Sequence, residues 1–268
     1  MMENIFIVVF LLALLAALAG MIGIGGGVFY TPIMLLIGSA SPYTVIPLSN
    51  VTILGVAVAA VLLNLQRKRI SFRVALILEP FTILGTILGV QLHLLLSELV
   101  LIVILELVLI IITVRTVYRS VTLRKSLNEE ELPSSETSAK SEISRYQWLL
   151  GISGSFIAGM LSGSIGIGGG ILKVPVMVEL GLAPSIAFGT GSLMVLFTSL
   201  SSVLQFLYLG RLPITYAILF FTIGFISSLI GVYLVRYIKK PYQLQFLFSI
   251  VLVLATILLF IQIILLIF

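Results

Sequence analysis

The 268-residue sequence has no cysteine and no aspartate, a single histidine and a single tryptophan, and only 9% charged residues. Without cysteine there is no disulfide, no thiolate metal site and no cysteine nucleophile. One histidine, His93, cannot supply an HExxH zinc site, and the lack of aspartate removes the Ser–His–Asp arrangement of hydrolases. These absences argue against an enzyme and leave no cofactor or metal to expect. The shortage of charge excludes more, because soluble domains carry about 25% charged residues. So few charges cannot cover a water-facing surface.

What is present is apolar: 60% hydrophobic residues and a mean hydropathy of +1.28. Apolar stretches lie near 5–37, 43–65, 73–92, 98–118, 147–180, 185–209, 213–235 and 242–267. Roughly 20 apolar residues of helix cross a bilayer. Runs such as LIVILELVLIIITV lack the alternation of a barrel strand, so the expected fold is an all-α polytopic membrane protein. The first stretch ends in Ala17-Leu18-Ala19, which imitates a cleavage site, but the residues before it carry Glu3 and no basic residue. A signal peptide wants a positive start, so the stretch reads as a span. The formal charge of +5 is read as topological, not as a nucleic-acid footprint, because basic residues gather on the cytoplasmic face.

Residues 119–146 interrupt the apolar pattern with Glu, Lys, Arg, Ser, Thr and Pro133, and read as a polar linker. The segments on either side, 1–118 and 147–268, are related. Ile22–Val28 reads IGIGGGV, and 143 residues later Ile165–Ile171 reads IGIGGGI. The same offset pairs Pro32 with Pro175, Met34 with Met177, Gly38 with Gly181 and Ser49 with Ser192. An offset of 142 pairs Gly89-Val90 with Gly231-Val232. Two homologous halves are therefore expected, each with a Gly-rich broken or re-entrant helix and three further transmembrane helices. Repeats that flank a midplane site are a common transporter plan.

The glycines define the first candidate site. Four glycines in five positions permit positive φ and remove side chains, so each long stretch should break and restart inside the bilayer. The N–H groups at a helix start have no helical partner and carry the positive end of the dipole. Gly25, Gly26 and Gly27, with Gly168, Gly169 and Gly170, are the expected anion-facing backbone. Close helix packing through small residues is the competing explanation. No Gly-Lys-Ser/Thr follows either motif, so neither is a Walker loop.

Two GIGGG copies each followed by a proline, the run Leu180-Gly181-Leu182-Ala183-Pro184-Ser185-Ile186-Ala187-Phe188-Gly189-Thr190-Gly191-Ser192, and the central linker resemble the TauE/SafE-like sulfite exporters. The resemblance covers nearly the whole chain. It implies a multi-pass plasma-membrane permease for a small sulfur-containing anion, sulfite or an organosulfonate. The halves differ at Ile46, Pro47 and Asn50 opposite Gly189, Thr190 and Leu193, so they need not contribute equally.

Counting basic residues compares two topologies. If both glycine segments cross fully, the count is 11 on one face against 3 on the other. If both turn back, it is 13 against 1, and the halves become inverted repeats with a cytoplasmic linker. The positive-inside rule prefers the second.

Charge and polarity inside spans supply the remaining candidates. Lys173 stands in the first turn of the second restarted helix, where the dipole disfavours a cation, so an anion site would explain it; snorkelling to the interface is the alternative. Tyr30 is its counterpart. Ser49, Asn50, Thr190 and Ser192 are neutral donors at related positions, and Asn64 and Gln205 are further pore-lining candidates. Glu79 and Glu106 fall within spans, where carboxylates are costly; they are candidates for proton coupling or for pairing with Arg115. Glu179 is a candidate partner of Lys173, and His93 is placed in an interfacial loop. The expected function is a secondary transporter of a small anion working by alternating access, with proton coupling open. An anion channel and a non-transporting scaffold stay open as alternatives. The expected partners are the anion, protons and membrane lipid, without nucleic acid, and oligomeric state is left open.

Overall fold

A computed structural model describes residues 5–22, 26–38, 40–126 and 144–234, together with most of 250–264. The described residues form nine α-helices: α1 (Ile5–Ile22), α2 (Gly27–Gly38), α3 (Pro42–Gln66), α4 (Phe72–Leu95), α5 (Glu98–Ser126), α6 (Arg145–Ile165), α7 (Gly170–Glu179), α8 (Pro184–Tyr208) and α9 (Ile214–Leu234). Apolar helical residues follow between Leu252 and Ile261. Six of the described helices, α3 to α6, α8 and α9, are long and apolar enough to cross a membrane. The chain is an all-α, multi-pass membrane protein. Most of the linker falls outside the described residues.

Local chemistry fixes the helix ends. Pro42 and Pro184 sit at the starts of α3 and α8, where a missing N–H costs nothing. α6 opens with a capping box: Tyr146 N donates to Ser144 Oγ, and Ser144 N donates to Gln147 Oε1. α7 closes in a Schellman motif, with Gly181 at φ +85°, Gly181 N donating to Val178 O and Leu182 N to Met177 O.

α3 and α8 lie against each other at the centre. α3 also packs on α9 and α8 on α4, while α1 covers α9 and α6 covers α4. Lipid provides no hydrophobic drive between helices, so close backbone approach through small residues carries the packing. On the α4–α6 seam a side chain at Gly85 or Gly89 would run into the carbonyls of Phe156 or Met160. In return, Gly159 and Gly163 face the carbonyls of Thr82 and Thr86. The same device recurs between α3 and α9, at Gly55 and Gly224, and between α1 and α9, at Gly20 and Gly231. Large apolar side chains such as Phe6, Leu76, Leu95, Ile111 and Ile218 point outward, as a lipid-facing surface requires.

The two short helices each pack on the helix before them and the helix after them. α7 packs on α6 and α8, and α2 on α1 and α3. Gln147 Nε2, in the first turn of α6, donates to Glu179 O at the end of α7, 3.2 Å away. Leu180 covers Gly151, and Val176 covers Gly154.

Candidate anion site at the helix breaks

α6 stops at Ile165 because Gly166 turns left-handed at φ +71°, and Gly168 (+78°) and Gly169 (+63°) keep the chain in a region that side chains disfavour. Gly169 then caps α7. Its carbonyl accepts from Leu172 N and Lys173 N. Among the described residues no acceptor stands opposite the backbone N–H groups of Ile167, Gly168, Gly169 and Gly170. All four residues are buried. In a protein interior such donors are rarely left over, and they sit where the α7 dipole is positive.

The first motif shows the related turn. Gly26 has φ +64°, and α2 starts at Gly27. Gly25 lies outside the described residues. Gly27 comes so close to the Ile167 carbonyl that no side chain would fit there. The start of α2 therefore meets the break that precedes α7, with Ile53 of α3 filling the space beside Gly27 and Gly168. Hydroxyls from the first half tie the junction. Ser49 Oγ donates to Gly166 O at 2.9 Å. Thr31 Oγ1 lies 2.9 Å from Ser49 Oγ and 3.1 Å from Gly166 O, dividing its one proton between them.

Lys173 is 1% exposed, so its ammonium does not snorkel to an interface. Its stem passes over Gly169, with Cε 3.4 Å from the position a Cβ would take there. Nζ donates to Met194 O at 3.2 Å and to Thr198 Oγ1, and lies 3.8 Å from Glu79 Oε2. Thr198 Oγ1 is 2.9 Å from Glu79 Oε1 and 2.7 Å from Met194 O, and its single proton serves one of these acceptors at a time. Three helices, α4, α7 and α8, thus converge on one charged cluster.

Several candidates stand elsewhere. Glu179 is exposed at the end of α7, so the carboxylate beside Lys173 is Glu79 and not Glu179. Arg115 is exposed on α5 and does not pair with Glu79. Thr190 and Ser192 lie toward the α3–α4 turn: Thr190 Oγ1 accepts from Ser71 N at 2.9 Å, and Ser192 Oγ from Asn64 Nδ2 at 3.2 Å. Asn50 is buried, with Nδ2 turned back to Ile46 O and Oδ1 unpartnered among the described residues. The Tyr30 hydroxyl is buried without a hydrogen-bond partner among them, as are both oxygens of Glu106. Gln205 lines an open apolar cavity of about 450 Å³ between α4 and α8, with Ile83, Phe197 and Leu204.

His93 is a correction. It belongs to α4, which runs on to Leu95, and it is 1% exposed, not interfacial. Its Nδ1 lies 3.2 Å from Ser164 O, and because a carbonyl only accepts, the proton sits on Nδ1. Tyr43 and Phe206 meet its ring edge to face. Ser164 is in the last turn of α6, whose carbonyls have no helical donor. His93 satisfies one of them. Sequence reasoning also missed Thr31 and Thr198, which looked like ordinary helix hydroxyls.

The paired short helices, the buried cation and the six long apolar helices define a polytopic membrane protein with discontinuous helices, consistent with a plasma-membrane location. The family described as sulfite exporter TauE/SafE matches residues 7–261, and the chain belongs to it. That is a family of exporters and not of enzymes. The sulfite exporter TauE/SafE family protein 1 of Arabidopsis thaliana is 39% identical over 88 residues, covering 33% of this chain and 20% of that protein. Family protein 5 of the same plant is 43% identical over 82 residues, 31% of this chain and 18% of that protein. This chain thus matches about a fifth of the length of these plant relatives. The probable membrane transporter protein YunE of Bacillus subtilis (strain 168) is 23% identical over 224 residues, 80% of this chain and 82% of that protein. No solved structure matches the chain.

Proposed function

We propose that this protein is a secondary transporter that carries a small anion, sulfite or a related sulfur-containing anion such as an organosulfonate, by alternating access. The observation that carries the reading is the meeting of the α2 start with the break before α7, Gly27 against Ile167, with uncommitted N–H groups on one side and the buried Lys173 side chain beside Gly169. Backbone donors and one cation suit a compact oxyanion better than a bulky or neutral solute. The names of the plant relatives point to sulfite, and that of the bacterial relative to membrane transport.

The binding set is Gly25 to Gly27, Tyr30, Ser49 and Asn50 from residues 1–118, and Gly168 to Gly170, Lys173, Thr190 and Ser192 from residues 147–268. Thr190 and Ser192 would join it only in another conformation, since here they bond toward the α3–α4 turn. Glu79 and Glu106 are the carboxylates through which protons would couple.

The two segments read as homologous halves that turn back at their glycines. Gly26 and Gly169, 143 residues apart, share φ values of 64° and 63°. Gly89 abuts the carbonyl of Met160 as Gly231 abuts that of Ala17, a pairing the repeat offset carries from one half to the other. The Gln147–Glu179 contact supports a re-entrant α6–α7 hairpin, because it joins the start of one helix to the end of the next.

Uptake into proteoliposomes tests the reading with sulfite, sulfate, thiosulfate, small sulfonates and carboxylates, with and without a pH gradient. The expected result is saturable uptake of a sulfur anion with counterflow of labelled substrate, lost in Lys173→Ala. Uptake unchanged in Lys173→Ala, or flux without saturation and counterflow, would reject the carrier reading.

A further inference from the structure

Lys173 already has an anion beside it, and that anion is part of the protein. We infer that the Glu79 carboxylate is a built-in stand-in for the transported anion, which must displace it from Lys173 and in doing so removes a polar tie between α4 and the pair α7–α8. The inference rests on the reading of Lys173 as the substrate cation.

The geometry shows a pair that is closed but incompletely held. Burying two charges is repaid only when the geometry is good and the remaining lone pairs and protons find partners. Here Glu79 Oε1 has Thr198 at 2.9 Å, whereas Oε2 has no hydrogen-bond partner among the described residues and meets Lys173 Nζ only at 3.8 Å. The ammonium has three protons, and Met194 O and Thr198 Oγ1 take two of them. The third faces a carboxylate too far away for a hydrogen bond. Tethered to α4 and held through Oε1 by Thr198, the carboxylate leaves this gap open. A free oxyanion has no tether, and it can meet the third ammonium proton and the idle N–H groups of Ile167 to Gly170 together. It would satisfy donors that Glu79 leaves unused.

The exchange also has a mechanical side. Glu79 belongs to α4, and its partners Lys173 and Thr198 belong to α7 and α8. The bond therefore crosses from residues 1–118 to residues 147–268. While it is closed it fastens α4 to the pair α7–α8. Substrate that takes over the ammonium removes this tie while the glycine seam of α4 with α6 stays packed, and departure of substrate lets Glu79 return. A ligand shifts a conformational equilibrium only through such a difference in contacts between states. Competition from within also lowers apparent affinity by the fraction of molecules in which the site is free.

The test compares sulfite binding to the purified full-length protein in chloride-free detergent solution for wild type, Glu79→Gln, Glu79→Asp and Lys173→Gln. Removing the internal anion is expected to tighten sulfite binding about tenfold if the pair is closed in about nine molecules of ten. Glu79→Asp, which keeps the charge but withdraws it by one methylene, is expected to tighten binding to a smaller degree. It keeps the test open should the neutral variant fail to fold. Both variants are expected to slow net uptake in proteoliposomes, because the group that expels substrate is lost in Glu79→Gln and drawn back from the ammonium in Glu79→Asp. Unchanged or weaker sulfite binding in the Glu79 variants, with binding lost in Lys173→Gln, would overturn the inference and leave the anion site standing. Sulfite binding retained in Lys173→Gln would overturn both.

Discussion

The hydroxyls of Thr113 and Thr256 lie 3.0 Å apart, and the two residues are separated in sequence by 143 positions. That interval is the one between the glycine motifs. On the proposed reading of two homologous halves, a residue can touch its own counterpart only near the axis that relates them. The contact therefore marks where a two-fold relation between the halves would pass, between α5 and the helical residues after 250. Because the chain has no cysteine, Thr113→Cys with Thr256→Cys offers a clean test. Mild oxidation is expected to join the halves covalently. After cleavage at a protease site inserted in the linker, they should migrate together without reductant and apart with it. Either cysteine alone should give separate halves.

The glycine seams predict paired instability. Gly89 and Gly231 face carbonyls of a neighbouring helix backbone, which cannot step aside. Gly154 faces a Val176 methyl at 3.0 Å, which can shift with a side-chain rotation. Overpacking typically costs about 1–3 kcal/mol. Gly89→Ala and Gly231→Ala should each fall in or above that range and lower the unfolding temperature in detergent by similar amounts. Gly154→Ala should lower it less. A larger loss at Gly154 would mean that the carbonyl contacts yield more easily than the geometry says.

What could be read from the sequence was what depends on local chemistry or on long apolar runs. The breaks at Gly26 and after Ile165 follow from glycines whose φ is positive, and the long helices follow from length and hydropathy. Partner choice was not legible. Lys173 has a glutamate six residues on, Glu179, yet its partner is Glu79 on another helix, because α7 turns Lys173 toward α4 and α8 and leaves Glu179 exposed. Thr198 sits in the run Thr198-Ser199-Leu200-Ser201-Ser202, and nothing local separates the bridging hydroxyl from the rest. His93 was misplaced for a similar reason. Its acceptor, Ser164 O, belongs to a helix end far along the chain, and a helix boundary is seldom read to better than a few residues.

The clamp on Gly166 predicts an order of effects. In a trans peptide the carbonyl and the next N–H point in opposite directions, so fixing Gly166 O also fixes the direction of Ile167 N–H. Ser49→Ala removes one donor to that carbonyl and the partner of Thr31; Thr31→Val leaves Ser49 donating. Each hydrogen bond is worth about 0.5–1.5 kcal/mol, and an orphaned buried carbonyl costs more. The expected ranking for both thermal stability and KM of anion uptake is double variant worst, then Ser49→Ala, then Thr31→Val. If KM stays constant while stability falls, the clamp serves folding and not anion binding.

The proposal that α6 and α7 form a re-entrant hairpin gives the last prediction. Gln147 touches Glu179 O, and Thr190 accepts from Ser71 N, so the end of α7, the start of α8 and the α3–α4 turn share one end of the bundle. Tyr43 Oη donates to Leu96 O at 2.7 Å, which places the α2–α3 and α4–α5 turns together, and the edge-to-face contact of His93 with Phe206 brings the α8–α9 turn to the same end. Basic residues concentrate at the first of these ends, which the positive-inside rule assigns to the cytoplasm. Single cysteines at Ser185 and Arg211, both exposed, separate the arrangements when compared with a third cysteine at Lys140 in the linker. An impermeant maleimide applied to intact cells is expected to label position 211 and spare positions 185 and 140 until the membrane is opened. If α6 and α7 instead made one full crossing, position 185 would label from outside and position 211 would be protected with the linker.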